Sequence, residues 1–326
     1  MSYRRYILVF FISLFLIFII KGIVTYKFYK VPKSTSLWIY KCYQKKSKYA
    51  NSIKTNKLVF TAGSNVLYGI NTSYIEKKMG IPTVNQAVNV NLKTDYILYQ
   101  AKKILKRGDV IVIPMEYENI TWDGETTKVR RDYFLTYDRG FFWKHVPLFE
   151  KYNMIYSIPI EDVYSAFKDR KKVFKEPKIG EGYNSTTLNK NGDETYKKGT
   201  KKELYTKKIK FFNAEKFKET KSLKLIKNFS IWCNQHGIKL IMAFPNIIDR
   251  KELHSKKYIQ YFKNLMQYYK DNNIDFIGKP IDSIYPTNYF YDTLYHLNIE
   301  GSKVRTMQII KILKKNKYIQ KHFNIR

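Results

Sequence analysis

The sequence predicts an α/β fold of three layers built on a mainly parallel sheet, on three observations. Strand-like runs alternate with helical periodicities along residues 57–315. The run VIVIPMEY (110–117) is apolar nearly throughout, as suits a parallel strand buried on both faces. The motif LVFTAGSNVLYGI (58–70) reads as strand, Gly-Ser turn and helix, which presents a side chain at the carboxyl end of a strand, where such sheets bind ligands.

Residues 6–20, YILVFFISLFLIFII, carry no charge, and extension to Val24 adds only Lys21. At about 1.5 Å per residue, Tyr6–Val24 reaches about 28 Å, close to a bilayer core. No convincing small-x-small cleavage site follows, so residues 1–24 are expected to be an uncleaved signal anchor. Arg4 and Arg5 favour a cytoplasmic N-terminus, whereas Lys21, Lys27, Lys30 and Lys33 crowd the other flank, so charge alone leaves the orientation open. The expected location is the cytoplasmic membrane, single-pass, with an extracytoplasmic globular domain.

Residues 25–54 read as a basic connector and 55–318 as the α/β domain. Leu58–Phe60 is the first strand, and Gly63 permits a tight turn. A helix follows with Leu67, Ile70 and Tyr74 on one face, ending near Gly80. TVNQAVN (83–89) is the second strand and loop, and residues 94–106 are a helix capped by Thr94. The third strand begins after Gly108. Residues 119–212 read as an insertion, partly helical, with a mobile loop near 176–205. Helix 214–236, strand IKLIMAFP (238–245), helix 254–270, strand NIDFIG (273–278) and a last helix after Gly301 complete the pattern. Residues 319–326 form a basic tail.

Lys plus Arg number 60 against 27 Asp plus Glu, a formal charge of +33. This suits an anionic partner: acidic polymer, anionic lipid or nucleic acid. A chain rich in Lys, Asn, Ile and Tyr would also carry such charge as plain solvated surface, and Arg170, Lys171 and Lys172 fit that description. No short nucleic-acid-binding signature occurs, so no nucleic-acid partner is expected. Cys42 and Cys233 are the two cysteines, too few for a disulfide framework. With no CxxC, HExxH or Cys/His cluster, no metal and no cofactor are expected.

The chemistry-bearing residues lie in two motifs. Ser64 follows the first strand; DTLYHLNIEG (292–301) places Asp292 and His296 four residues apart before the last helix. Together they offer Ser64 as nucleophile, His296 as base and Asp292 to fix its tautomer. Taken singly, Ser64 is an ordinary N-cap and His296 an ordinary hydrogen-bonding histidine; the combination at one sheet edge is what points to catalysis. Glu116 and Glu118 could form an acid pair, or point together into solvent or a Lys cluster. Trp122, Tyr133, Phe134, Phe141, Phe142 and Trp143 fit core packing of the insertion, a sugar- or acyl-lining groove, or a membrane interface.

On these blocks the sequence resembles the SGNH/GDSL-like hydrolase superfamily, most of all its membrane-anchored branch associated with bacterial surface polysaccharides and teichoic acid D-alanylation. The resemblance covers about residues 57–315. It implies a flavodoxin-like (SGNH) domain with Ser64 as nucleophile. TVNQAVNVN falls at the second block, with Asn85 in place and Ala87, where glycine is common, supplying an oxyanion N–H. Glu116 stands where other members carry an oxyanion asparagine. DTLYHLNIEG gives Asp292 and His296, with three residues between them where two are common, and Asn298 and Gly301 fit the turn into the last helix. The resemblance implies a serine esterase or O-acyltransferase of the cell envelope, active in polysaccharide biosynthesis on an acyl ester of a cell-surface glycan or anionic polymer. It also allows a degenerate scaffold that binds a glycan, an acyl carrier or a membrane acyltransferase.

Overall fold

The computed structural model describes residues 3–29, 34–169, 172, 174–181, 183–196, 199–206 and 211–324. Lys30, Lys33, Arg170, Lys171 and parts of the connector, of the 176–205 loop and of the C-terminal tail lie outside them. The first half of the chain forms α1 (Tyr3–Phe28), α2 (Ser34–Ser52), β1 (Leu58–Phe60), α3 (Ser64–Gly69), α4 (Thr72–Met79), β2 (Thr83–Asn85), α5 (Lys93–Lys102), β3 (Val110–Ile113), α6 (Tyr117–Ile120), α7 (Lys128–Thr136), α8 (Arg139–His145), α9 (Leu148–Tyr156) and α10 (Ile160–Lys168). The second half forms α11 (Glu203–Thr206), α12 (Lys221–Gln235), β4 (Lys239–Ala243), β5 (Ile247–Ile248), α13 (Lys256–Asp271), β6 (Phe276–Ile277), β7 (Ile284–Tyr285), α14 (Ile299–Lys315) and α15 (Lys317–Phe323).

Two compact units emerge: Met1–Tyr40 with Thr126–Tyr183, and Lys41–Glu125 with Asn184–Arg326. In the first, α1 is a single helix long and apolar enough to cross a bilayer, and it packs against α9 and α10. Arg130 and Glu150 form a buried ion pair at 2.9 Å that ties α7 to α9. Tyr133, Phe134, Phe141 and Phe142 are buried in this unit, whereas Trp143 is half exposed.

The second unit holds a five-stranded sheet in the order β2-β1-β3-β4-β6, every pair parallel. This is the predicted α/β, flavodoxin-like arrangement. Leu58, Val59, Phe60 and Val110 to Ile113 are fully buried, because a central parallel strand has no solvated face to supply with polar residues. Strand order reverses beside β1, so right-handed crossovers carry successive connections to opposite faces. Accordingly α14 packs with α3 and α4, and α5 packs with α12. A second small sheet pairs β5 with β7.

The structure departs from the sequence expectations in several places. Thr94 does not cap α5, which runs from Lys93 to Lys102; the Thr94 hydroxyl lies 2.6 Å from the Ser222 hydroxyl on α12 instead. The expected basic tail is helical over Lys317–Phe323. Residues 34–52 of the connector are helical. The helix after Gly63 is two helices, because Asn71 adopts an extended backbone and its side chain accepts the Tyr74 N–H, starting α4 afresh. The helix expected from residue 214 begins at Lys221, where Thr220 caps it. Within the stretch expected to be mobile, residues 188–195 are pinned. Asp193 accepts the Thr72 N–H at 2.9 Å, the Thr72 hydroxyl at 2.7 Å and the Ser73 N–H at 3.0 Å, satisfying the first turn of α4. Asn191 O accepts the Asn85 N–H at 2.8 Å, and the Asn191 amide donates to Thr83 O at 2.8 Å. Lys46 is buried between Ala87 O at 2.5 Å and Gly192 O at 2.7 Å, and burial lowers its pKa to about 8.

Removing Asp193 leaves several buried donors without an acceptor. Asp193→Ala is expected to destabilise the second unit by about 3 kcal/mol. Urea unfolding should show a lower midpoint at unchanged slope; an unshifted midpoint would refute the pinning role.

Candidate active site

Ser64 opens α3, directly beyond the carboxyl end of β1, and Glu116 lies just beyond β3. These two strands are neighbours at the point where the sheet order reverses, the crevice where doubly wound sheets place their ligands. The turn between β1 and α3 is tight. A Cβ on Gly63 would run into the Glu116 carboxylate and would meet Val90 Cα at 2.7 Å, so only glycine fits there.

Glu116 is fully buried, and its two oxygens hold this turn. Oε2 accepts the Gly63 N–H at 2.8 Å and Oε1 the Asn65 N–H at 3.0 Å, the amides on either side of Ser64. Asn65 adds a bond from its side-chain amide to Pro114 O at 2.6 Å. Burial pushes the Glu116 carboxyl up to about 7, opposed by those N–H donors. Glu118 also points inward, beside Tyr295; burial raises its carboxyl, and burial with the nearby carboxylates holds the Tyr295 hydroxyl well above its usual range. The two glutamates therefore do not share a solvent-facing side.

Asp292 and His296 sit in a loop closed by the Phe290–Leu297 bridge and by the Tyr291 N–H bonding to His296 O at 2.7 Å. Phe290 and Leu297 anchor it in a core cluster with Leu204, Ile248 and Tyr285. His296 Nδ1 lies 2.8 Å from Asp292 Oδ1. An ionised carboxylate only accepts, so this partner places the imidazole proton on Nδ1 and leaves Nε2 as the basic nitrogen. The imidazole stacks on Tyr68, with ring centroids 4.3 Å apart and planes 14° apart. Tyr68 is four residues after Ser64 on α3, hence on the same helix face one turn along. Tyr68 thus brings the histidine to the face that carries the serine. No hydrogen bond joins Ser64 to His296 among the described residues.

The remaining predicted site residues are placed as follows. Asn85 donates to Val66 O at 3.1 Å and to Asp193 at 3.0 Å, and its Oδ1 accepts the Ala87 N–H at 3.2 Å. Asn85 therefore ties β2 to α3, and the Ala87 N–H is engaged locally. Asn298 caps α14 through the Gly301 N–H at 2.9 Å and donates to Asn288 O at 2.7 Å. Tyr68 was not among the sequence candidates; its spacing from Ser64 is the one signal that marks it. A cavity of about 720 Å³ opens between α4 and α14, lined by Tyr74, Thr195, Ile299, Lys303 and Met307; Ser64, Asp292 and His296 do not line it.

Glu116 makes the fold pH-sensitive. Its carboxyl is raised from 4.5 to about 7 in the folded state, so the folded state holds the proton more tightly. The associated stability is full below about pH 4.5 and is lost as pH rises through about 7, a loss of about 3 kcal/mol at 1.36 kcal/mol per unit. Glu116→Gln removes the titration. Between pH 4.5 and 8 the wild type should lose that much more stability than the variant in urea titrations; parallel profiles would show that Glu116 does not titrate there.

No family model matches the sequence, and no curated protein matches it. Among solved structures, the chain is similar to a protein assigned to the lipolytic G-D-S-L family from Desulfitobacterium hafniense DCB-2. That likeness has 11% identity and a TM-score of 0.36, over 78% of this chain and 99% of the other. It is also similar to a protein assigned as a platelet activating factor from Streptococcus pneumonia, at 12% identity and a TM-score of 0.34, over 82% of this chain and 90% of the other. The chemistry of the site stands on its own geometry.

Proposed function

We propose that this chain is a membrane-anchored, SGNH-like serine esterase or O-acyltransferase acting on an acyl ester of a cell-surface polysaccharide or related anionic polymer. The observation that carries the reading is the Asp292–His296 pair lying on Tyr68, one helical turn from Ser64. Ser64 Oγ attacks the acyl carbonyl as His296 Nε2 takes its proton. The carbonyl–oxygen bond to the sugar breaks, and that oxygen takes the proton from Nε2. Water or another sugar hydroxyl then gives its proton to Nε2 and attacks the acyl-serine; the acyl–Oγ bond breaks and Ser64 Oγ takes that proton back from Nε2. Asp292 positions the imidazole and stabilises its cationic form.

In this reading residues 1–24 anchor the chain in the cytoplasmic membrane, and the α/β domain faces outward. The charge of +33 suits an anionic polymer or anionic headgroups. A membrane acyltransferase that supplies the acyl group is a natural partner.

A second reading, a binding scaffold without turnover, is favoured by one observation: Glu116 takes the two amides that flank Ser64. A fluorophosphonate probe separates the two. On the full-length protein in detergent, the wild type should label, Ser64→Ala and His296→Ala should not, and Asp292→Asn should label about a hundredfold more slowly or worse. Labelling that survives Ser64→Ala removes the mechanism. An unlabelled, folded wild type selects the scaffold.

A further inference from the structure

Helices α8, α9 and α10 carry large apolar side chains on their open faces. Leu148 and Phe149 are 82% and 75% exposed, and Tyr152 follows one turn later. On α10, Ile160, Tyr164 and Phe167 recur at i, i+4 and i+7, forming one exposed stripe, while Val163 and Ala166 face inward. Trp143 on α8 is also half exposed.

What these helices pack on gives the stripe its meaning. Tyr156 stacks on Phe18 of α1, with ring centroids 4.1 Å apart and planes 6° apart, and its hydroxyl donates to Phe18 O at 3.1 Å. Tyr152 stacks on the same ring at 5.8 Å. Any side chain at Gly22 would collide with Tyr156, so that glycine permits the close approach. Further along α1, Trp143 Nε1 donates to the Tyr26 hydroxyl at 2.8 Å, and the Arg139 guanidinium lies 4.4 Å above the Tyr26 ring. Phe167 meets Phe28 edge to face at 5.2 Å. Phe18 lies six residues before Val24, the end of the apolar run, or about 9 Å inside it along the helix axis. A helix touching α1 at Phe18 therefore sits at the depth of the span, and one touching it at Tyr26 and Phe28 sits at the boundary. Trp143, Tyr26, Tyr152 and Tyr164, with Arg139, Lys144 and Lys151 nearby, match the aromatic and basic composition of a bilayer interface.

We propose that α8–α10 form a collar that lies in the bilayer interface around one end of α1, with Leu148, Phe149, Ile160, Tyr164 and Phe167 immersed in lipid. The proposal rests on α1 being the membrane anchor proposed above. Its occupant is lipid because the helices that carry the exposed stripe pack directly on α1, whose apolar residues from Tyr6 to Ile20 are themselves largely exposed. The anchor then does more than tether. It seats the first unit flat on the membrane and takes these exposed apolar side chains out of water.

The test uses the full-length chain reconstituted in phosphatidylcholine–phosphatidylglycerol vesicles. Single cysteines at Phe149→Cys, Tyr164→Cys, Leu14→Cys and Ile259→Cys carry an environment-sensitive NBD label; all four native positions are exposed, and Cys42 and Cys233 are buried. Nitroxide lipids and aqueous iodide serve as quenchers. The collar requires at least about threefold more lipid quenching at 149 and 164 than at 259 on α13, together with quenching at 14. Quenching at 14 with iodide-accessible labels at 149 and 164 overturns the collar and leaves the anchor standing. Labels at 149 and 164 shielded from both quenchers reveal a protein partner, such as a second copy, and also overturn it. No lipid quenching at 14 overturns the anchor and the collar together.

Discussion

The carboxylate of Glu116 accepts main-chain N–H groups on both sides of Ser64, and those amides would otherwise be buried donors at the start of a helix. Much of the site follows from that acceptor. It sets the path from β1 into α3, it excludes any residue but glycine at position 63, and it fixes the rotation of α3. That rotation decides where Tyr68 points, and Tyr68 is the surface on which the His296 ring rests. A residue just beyond the third strand thus orients a histidine near the end of the chain without touching it.

The same arrangement carries an electrostatic tension. An oxyanion forming at Ser64 would lie close to a carboxylate, which opposes it when ionised. Burial reduces the conflict by raising the Glu116 carboxyl to about 7, so much of the population is neutral near neutral pH. A neutral carboxylic acid still accepts the two N–H groups, so the turn survives its protonation. Structure and charge are separable at this position, which is why one residue suits both an active site and a binding scaffold.

Local chemistry was legible in the sequence; long-range partnership was not. The apolar runs at 58–60 and 110–113 announced buried parallel strands, because complete burial leaves no alternation to read. Asp292 and His296 could be paired from sequence because four residues in a closed loop bring them together. Glu116 invited a solvent-facing reading because strand-end geometry says nothing about a turn more than fifty residues earlier that needs an acceptor. The segment 188–195 looked mobile for the same reason. Its Asn, Gly and Asp residues are turn formers by composition, and nothing local reveals that Asp193 fills the vacant first turn of α4. The break at Asn71 was masked by apolar residues that keep helical spacing on both sides of it.

Asn191 has one more consequence. β2 is the outermost strand of the sheet, so the N–H of Asn85 and the C=O of Thr83 face away from β1 and would be open to any extended chain. Asn191 occupies both, one through its main chain and the other through its side chain. The returning segment therefore closes an edge that would otherwise template strand addition by another molecule. It does so with polar groups that cannot propagate a ladder, so this end of the sheet is guarded against intermolecular assembly by a turn.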